Sequence, residues 1–280
     1  MSILDFVGNT PMVELWPNVY AKLEMKNPSG SVKDRAAKVI LENANLPRGS
    51  RIVEATSGNF GISLGLISAV MGYSLTVVMP EGASVERERM IRLYGGRVVR
   101  VNGNMSAARD VARGIAIEQN AFMPDQFSNP SNCMAHYRTT APEILRDVGH
   151  VDILVSGVGS GGSITGVAKY LKEKNPNTCV VAVHPSVGSM IEGIGAGFVP
   201  RIFDSSLVDE NVFVSFNEAV YYSRLLAMEH GIMAGISSGA AVFVAKILSK
   251  RPENKGKTII TLLPDSGDRY YSTPLFSFET

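Results

Sequence analysis

At 280 residues the chain is long enough for one large domain or two modest ones, and 45% hydrophobic with 19% charged residues excludes a disordered chain. Lys and Arg total 27 against 26 Asp and Glu, a formal net charge of +1 with no basic block, which argues against nucleic acid and acidic membrane surfaces as partners. The opening MSILDFVGNTP lacks the basic and apolar regions of a signal peptide and the run GISLGLISAVMGY is too short for a membrane span, so a cytoplasmic protein is expected.

The first notable stretch is KLEMKNPSGSVKDRAA. Pro28, Ser29 and Gly30 mark a turn, after which Val32, Ala36, Val39 and Ile40 recur at helical spacing. Lys33 falls at the start of that pattern, where the helix dipole disfavours a cation. It is either a solvated surface charge or has a negative group to meet. A strand at RIVEA then runs into Thr56, Ser57, Gly58 and Asn59 and a helix over 59–71. These hydroxyls, the amide and the exposed backbone donors suit a carboxylate clamp as well as an ordinary helix cap.

Strands at SLTVVMP and GRVVRV alternate with helices over 84–94 and 104–119, and ERERMIR at 86–92 reads as a solvated helix face. One helix is predicted over 131–146; Cys133, His136 and Tyr137 in it are assigned to core or supporting packing. The strand VDILVS then enters a loop with Gly157, Gly159, Gly161 and Gly162, followed by a helix over 163–174. Backbone N–H groups converge there on a phosphate, with Ser160 and Ser163 adding hydroxyls. GVGSGG matches GxGxxG, but a dinucleotide site wants an acid ending the next strand, and CVVAVHP ends in His184 and Pro185. No lysine follows in GK[ST] form, so a single phosphate on a smaller cofactor fits better.

Helices over 217–230 and 238–250 follow, the second preceded by Ser237 and Ser238 of GISSGAA, with a strand at TIITLLP and Asp265 and Ser266 in the turn beyond it. That strand should end at a cleft, which makes Asp265 and Ser266 candidate neighbours of a cofactor. Trp16 is assigned to packing near the N-terminal segment, and the four histidines and two cysteines show no metal-ligand spacing, so no metal is expected. Continuous apolar strands alternating with helices predict an α/β fold: open, mostly parallel twisted sheets flanked by helices. The division expected is a smaller lobe over 35–130 and a larger one from 1–34 plus 131–280, with the site between them.

In chain order, VGNTP, NPSGSVKDRAA, EATSGN, DQFSNP, SGVGSGGSITGV, GIGAGFVP, GIMAGISSGAA and PDSGDRYYST resemble the fold-type II pyridoxal-phosphate enzymes, and among them the cysteine synthase (O-acetylserine sulfhydrylase) family, closer to its B type. The resemblance implies a tryptophan synthase β-like architecture with a mobile smaller lobe. It implies that Lys33 forms a Schiff base with pyridoxal 5'-phosphate and that Gly159, Ser160, Gly161, Gly162 and Ser163 hold the cofactor phosphate. Asn59 would meet the ring's phenolic oxygen and Ser237 the pyridine nitrogen. Thr56, Ser57, Gly58 and Asn59, with Phe60 beside them, would clamp the substrate carboxylate under Gln126.

The implied reaction makes L-cysteine from O-acetylserine or O-phosphoserine and sulfide or thiosulfate, through an aminoacrylate, in a homodimer. The alternatives are a cystathionine β-synthase core, a serine or threonine dehydratase, and an inactive regulatory homologue. Retention of Lys33, Asn59 and Ser237 argues against the last. Three departures stand out. Phe60 replaces a threonine usual in the family, which predicts a narrower pocket or a different donor. The short link SVGSMIE argues against docking of a serine acetyltransferase tail. His184 replaces a common glutamate and is assigned to a local surface change.

Overall fold

The computed structural model describes residues 1–277. In chain order the elements are β1 (Met12–Trp16), β2 (Val19–Leu23), α1 (Lys33–Ala44), β3 (Arg51–Ala55), α2 (Asn59–Met71), β4 (Ser74–Pro80), α3 (Val85–Leu93), β5 (Arg97–Val101) and α4 (Met105–Gln119). There follow α5 (Ser131–Ala135), α6 (Ala141–Val148), β6 (Ile153–Gly157), α7 (Gly162–Lys174), β7 (Cys179–Pro185), β8 (Glu210–Val214), α8 (Phe216–His230), α9 (Ile236–Ser249) and β9 (Ile259–Leu263).

The strands form two sheets, one ordered β1-β2-β9-β6-β7-β8 and the other β3-β4-β5. Every pairing is parallel except β1 with β2, which the Pro17–Asn18 turn folds back antiparallel. Both faces of the larger sheet are covered, and the strand period of two divides its side chains between them. Ile153, Val155 and Ile259 pack with Ala240 and Val244 of α9. Leu154, Ile260 and Leu262 pack with Ile164, Val167 and Leu171 of α7. In the smaller sheet Ile52, Val77 and Met79 meet Ile40 of α1, Leu64 and Ile67 of α2 and Ile91 of α3. Its other face puts Val53, Ala55 and Val78 against Ala108 and Ala112 of α4.

Polar side chains also pin the elements. Arg35 in α1 is 2% exposed; its Nε lies 2.7 Å from Glu24 and its Nη1 2.7 Å from Glu143 of α6. Burial works to raise the Glu143 pKa, but the hydrogen bonds and charge of Arg35 outweigh it and hold the carboxyl at about 2. Lys22 of β2 adds a contact to Glu143 at 3.0 Å. Two residues from Lys33, this buried set anchors the start of α1.

Three strands escape the sequence reading. β1 and β2 carry Glu14 and Lys22 around a proline turn and do not look apolar, while β8 is an edge strand with an alternating pattern. The single helix expected over 131–146 is instead α5, a π-helical turn at 136–140, and α6. Residues 86–92 are also only partly a solvated face, because Arg87 and Ile91, four apart on α3, are both buried.

Candidate active site

Four helices present their N-termini to one cleft without a capping side chain: α1 after Val32, α2 after Gly58, α7 after Gly161 and α9 after Gly235. Elsewhere α3, α4 and α8 are capped by Ser84, Asn104 and Ser215. At α2, α7 and α9 first-turn N–H groups therefore remain for an anionic ligand, where the helix dipoles also favour negative charge, whereas at α1 the Lys33 N–H already donates to Ser31 Oγ. The turn after β9 holds two of the lead-ins together, since Asp265 bridges Ser31 and Ser266 bridges Ala234.

The cleft has two adjoining hollows. One, of about 520 Å³, takes in Lys33, Asn59, Gly159, Ser160, Gly161, Ser163 and Ser237, walled by the apolar Val32, Ile194, Leu262 and Pro264. The other, of about 660 Å³, is bordered by Thr56, Ser57, Gly58, Asn59, Phe60 and Gln126. Lys33, Asn59, Gly159 and Ser160 border both. Gly162 does not line either hollow but begins α7. Phe60 touches the rim, yet it is 1% exposed and belongs to the apolar cluster with Ile52 and Leu64. Its ring is a core residue, and the narrower pocket expected of it is not needed to explain its size.

Lys33 Nζ donates to Ser160 Oγ at 3.3 Å, and Asn132 Nδ2 donates to the same oxygen at 3.2 Å. Burial lowers the Lys33 pKa to about 8, opposed by the charge of Asp265. The glycine loop is bare backbone for a steric reason. A Cβ at Gly159 would overlap the Gly193 carbonyl oxygen, one at Gly162 would overlap the Asn132 amide, and Gly161 has φ +83°. Chemically, the first hollow pairs phosphate-binding donors with apolar walls, an amine of lowered basicity and a hydroxyl. That set fits a small phosphorylated aromatic aldehyde.

Asn132 is not singled out from sequence and Arg87 reads there as part of a solvated face, whereas His136 is expected to pack in support of the site. His136, in the π turn, meets Ser163 Oγ at 3.0 Å and Thr140 Oγ1 at 2.9 Å. Burial, then the charges of Arg35 and Lys33, push its pKa far down, so it is a neutral support for the loop. Asn132 and His136 are four residues apart, a spacing that places both on one side of a helix. Arg87 borders the second hollow at 3% exposure, ion-paired with Glu192 and stacked 4.9 Å from the Tyr270 ring. The sequence signal for it was the i,i+4 relation to Ile91. Asp265, expected near a cofactor, is 1% exposed and bonded to Asn59. His184 stacks on Phe213 at the sheet edge, and Cys133 donates its thiol to the Ile202 carbonyl. Among the described residues no cluster of His, Cys, Asp or Glu could hold a metal ion, and no helix is long and apolar enough to cross a membrane.

Comparison with known proteins agrees with this geometry. A family model described as pyridoxal-phosphate dependent enzyme matches residues 3–265. A cysteine synthase of Staphylococcus aureus is 40% identical over 303 aligned positions, covering 99% of this chain and 97% of the relative. Among solved structures, O-ureido-L-serine synthase superposes with a TM-score of 0.94 at 40% identity, covering 98% of this chain and 94% of that one. A cysteine synthase from Entamoeba histolytica gives 0.93 at 37% identity, covering 100% and 91%.

Proposed function

The chain belongs to the pyridoxal-phosphate dependent enzymes and, within them, to the cysteine synthase family, and from that premise we propose that it makes L-cysteine by replacing the β-substituent of an O-activated serine with sulfide. The observation that carries this reading is the meeting of Lys33, the glycine loop and the Thr56–Asn59 turn in one cleft. When bound, pyridoxal phosphate supplies an aldehyde for an amine and an electron sink for the substrate's α-carbon.

Lys33 is the amine assigned to that aldehyde. With its pKa lowered to about 8, Nζ spends more time as the free, nucleophilic amine at neutral pH than an exposed lysine does. The same Nζ takes the proton from the substrate's α-carbon and later returns it. The backbone from Gly159 to Gly162, with Ser160 and Ser163, holds the phosphate at the N-terminus of α7. Ser237, a neutral hydroxyl, partners the pyridine nitrogen without imposing a proton on it, which favours departure of a β-substituent over transamination. Thr56, Ser57, Gly58 and Asn59 receive the substrate carboxylate at the start of α2, and Gln126, 4% exposed, helps to exclude water.

O-acetylserine and O-phosphoserine are the proposed donors, with sulfide or thiosulfate as the sulfur source. We further assign residues 35–130 to a smaller unit that moves over the site, supported by its separate sheet and apolar cluster, and expect a homodimer. The test is the visible absorbance of purified protein titrated with O-acetylserine, O-phosphoserine and serine in turn. A visible band that either ester perturbs, and that sulfide restores with release of cysteine, is the expected result. A band perturbed by serine alone points to cystathionine synthesis or dehydration. No band after addition of pyridoxal phosphate overturns the reading.

A further inference from the structure

Asn59 borders both hollows, and two residues from the turn beyond β9 grip its carboxamide. Arg269 Nη1 donates to Asn59 Oδ1 at 2.6 Å, and Asn59 Nδ2 donates to Asp265 Oδ2 at 2.6 Å. Neither partner can serve the amide turned over. A guanidinium has no acceptor and a carboxylate no donor, so a flip would face N–H against N–H and oxygen against oxygen. Both partners are themselves held. Arg269 is 2% exposed and also donates to the Ser29 carbonyl, in the turn that leads into α1. Asp265 is 1% exposed, and Tyr270 OH donates to its Oδ2 at 2.8 Å.

Nδ2 carries two hydrogens, and Asp265 takes one of them. The other is left for the cleft. We propose that Arg269 and Asp265 are positioning residues that lock the Asn59 amide so that this remaining N–H, and never Oδ1, faces the bound cofactor. The proposal rests on the assignment of Asn59 to the cofactor's phenolic oxygen, which as an anion is attracted by an N–H and repelled by an amide oxygen. An unlocked amide would rotate between those two states, losing a charge-assisted hydrogen bond for part of the time. Because the lock comes from the C-terminal turn, it also couples Asn59 to the lead-in of the lysine helix through Ser29.

The test compares Asn59→Ala, Arg269→Met and the double variant, each loaded with pyridoxal phosphate. The readouts are cofactor content, the visible absorption of the bound cofactor across pH, and steady-state kinetics. The expected result is that both single variants retain cofactor and shift the absorption, or its pH midpoint, in the same direction. For Arg269→Met kcat falls about 10- to 100-fold, the range for losing a hydrogen bond to a charged group, while KM changes little. The double variant then falls no further than Asn59→Ala, within about twofold, because the lock has nothing left to hold.

A wild-type absorption spectrum in Arg269→Met, or losses that multiply in the double variant, overturns the lock while leaving the Asn59 assignment intact. An unchanged spectrum in Asn59→Ala overturns that assignment and the lock with it. Should Arg269→Met fail to fold, Asp265→Asn, which keeps the side-chain shape, enters the same double-variant comparison with the same expected non-additivity.

Discussion

Lys33 Nζ and Ser160 Oγ lie 3.3 Å apart although 127 residues separate them in sequence, so the amine of α1 and the loop before α7 form one wall. Burial in that wall weakens the lysine's hold on its proton. In the cofactor-free protein the native state gives up the Lys33 proton near pH 8, whereas the unfolded chain holds it to about 10.5. Between those values the unfolded state binds more protons, so stability rises with pH; below 8 the full penalty for a buried cation remains. Replacing Lys33 by Met is therefore expected to stabilise the cofactor-free protein below pH 8 by roughly 3 kcal/mol, with the gain vanishing towards pH 10.5. Denaturant unfolding of both proteins across that range checks it. The same substitution should abolish the visible band of the loaded enzyme.

Gly159→Ala is expected to weaken cofactor retention by about tenfold or more, since overpacking of this kind typically costs 1–3 kcal/mol. The added methyl would meet backbone, the Gly193 carbonyl, which cannot rotate away. Gly114→Ala, where a Cβ meets nothing within 4 Å, is the control and should bind normally. Equilibrium dialysis against pyridoxal phosphate measures both.

Phe60→Thr, which restores the residue usual in the family, is expected to destabilise the protein by about 3–5 kcal/mol, the cost of truncating a buried aromatic ring. The neighbours Ile52, Ile62 and Leu64 would be left around a cavity. A fall in the denaturant midpoint at unchanged slope would report it.

Glu54 sits in β3, just before the Thr56–Asn59 turn, and is 1% exposed. Burial pushes its pKa up to about 8, partly opposed by the hydrogen bond it accepts from the Asp125 backbone N–H at 2.7 Å. Between pH 4.5 and 8 the native state holds a proton that the unfolded chain has lost, so stability falls as pH rises through that window. Glu54→Gln keeps the acceptor for Asp125 and removes the titration. Its unfolding free energy should be flatter than wild type over the window and higher at its upper end. Parallel slopes for the two proteins would refute the assignment.

The parts legible in the sequence were those with a local cause. The buried strands β4, β6, β7 and β9 are mainly apolar runs, and the glycine loop before α7 announces its use by lacking side chains. What was not legible depends on partners distant in the chain. β2 needs β9 beside it before Lys22 makes sense in a buried strand, because the partners of that lysine, Glu143 and Asp147, lie on α6. Arg87 looked solvated because charged neighbours surround it locally, while its stacking partner Tyr270 comes from the far end of the chain. The π turn at 136–140 likewise has no local signature, and the Ser163 that His136 meets there lies 27 residues on.

The position of β9 has a further consequence. Residues 259–263 are inserted between β2 and β6, so the centre of the larger sheet is supplied by a segment made after every other strand of that sheet. Until it arrives, β1–β2 and β6–β7–β8 are two fragments with open inner edges, which are templates for wrong pairing. The same segment contributes Leu262 and Pro264 to the first hollow and Asp265 to the grip on Asn59. A chain can thus form the smaller sheet and most of its helices before β9 exists, but the first hollow is complete only once β9 has slotted in. A chain that stops short of residue 264 has every glycine of the phosphate loop and an unfinished hollow around them.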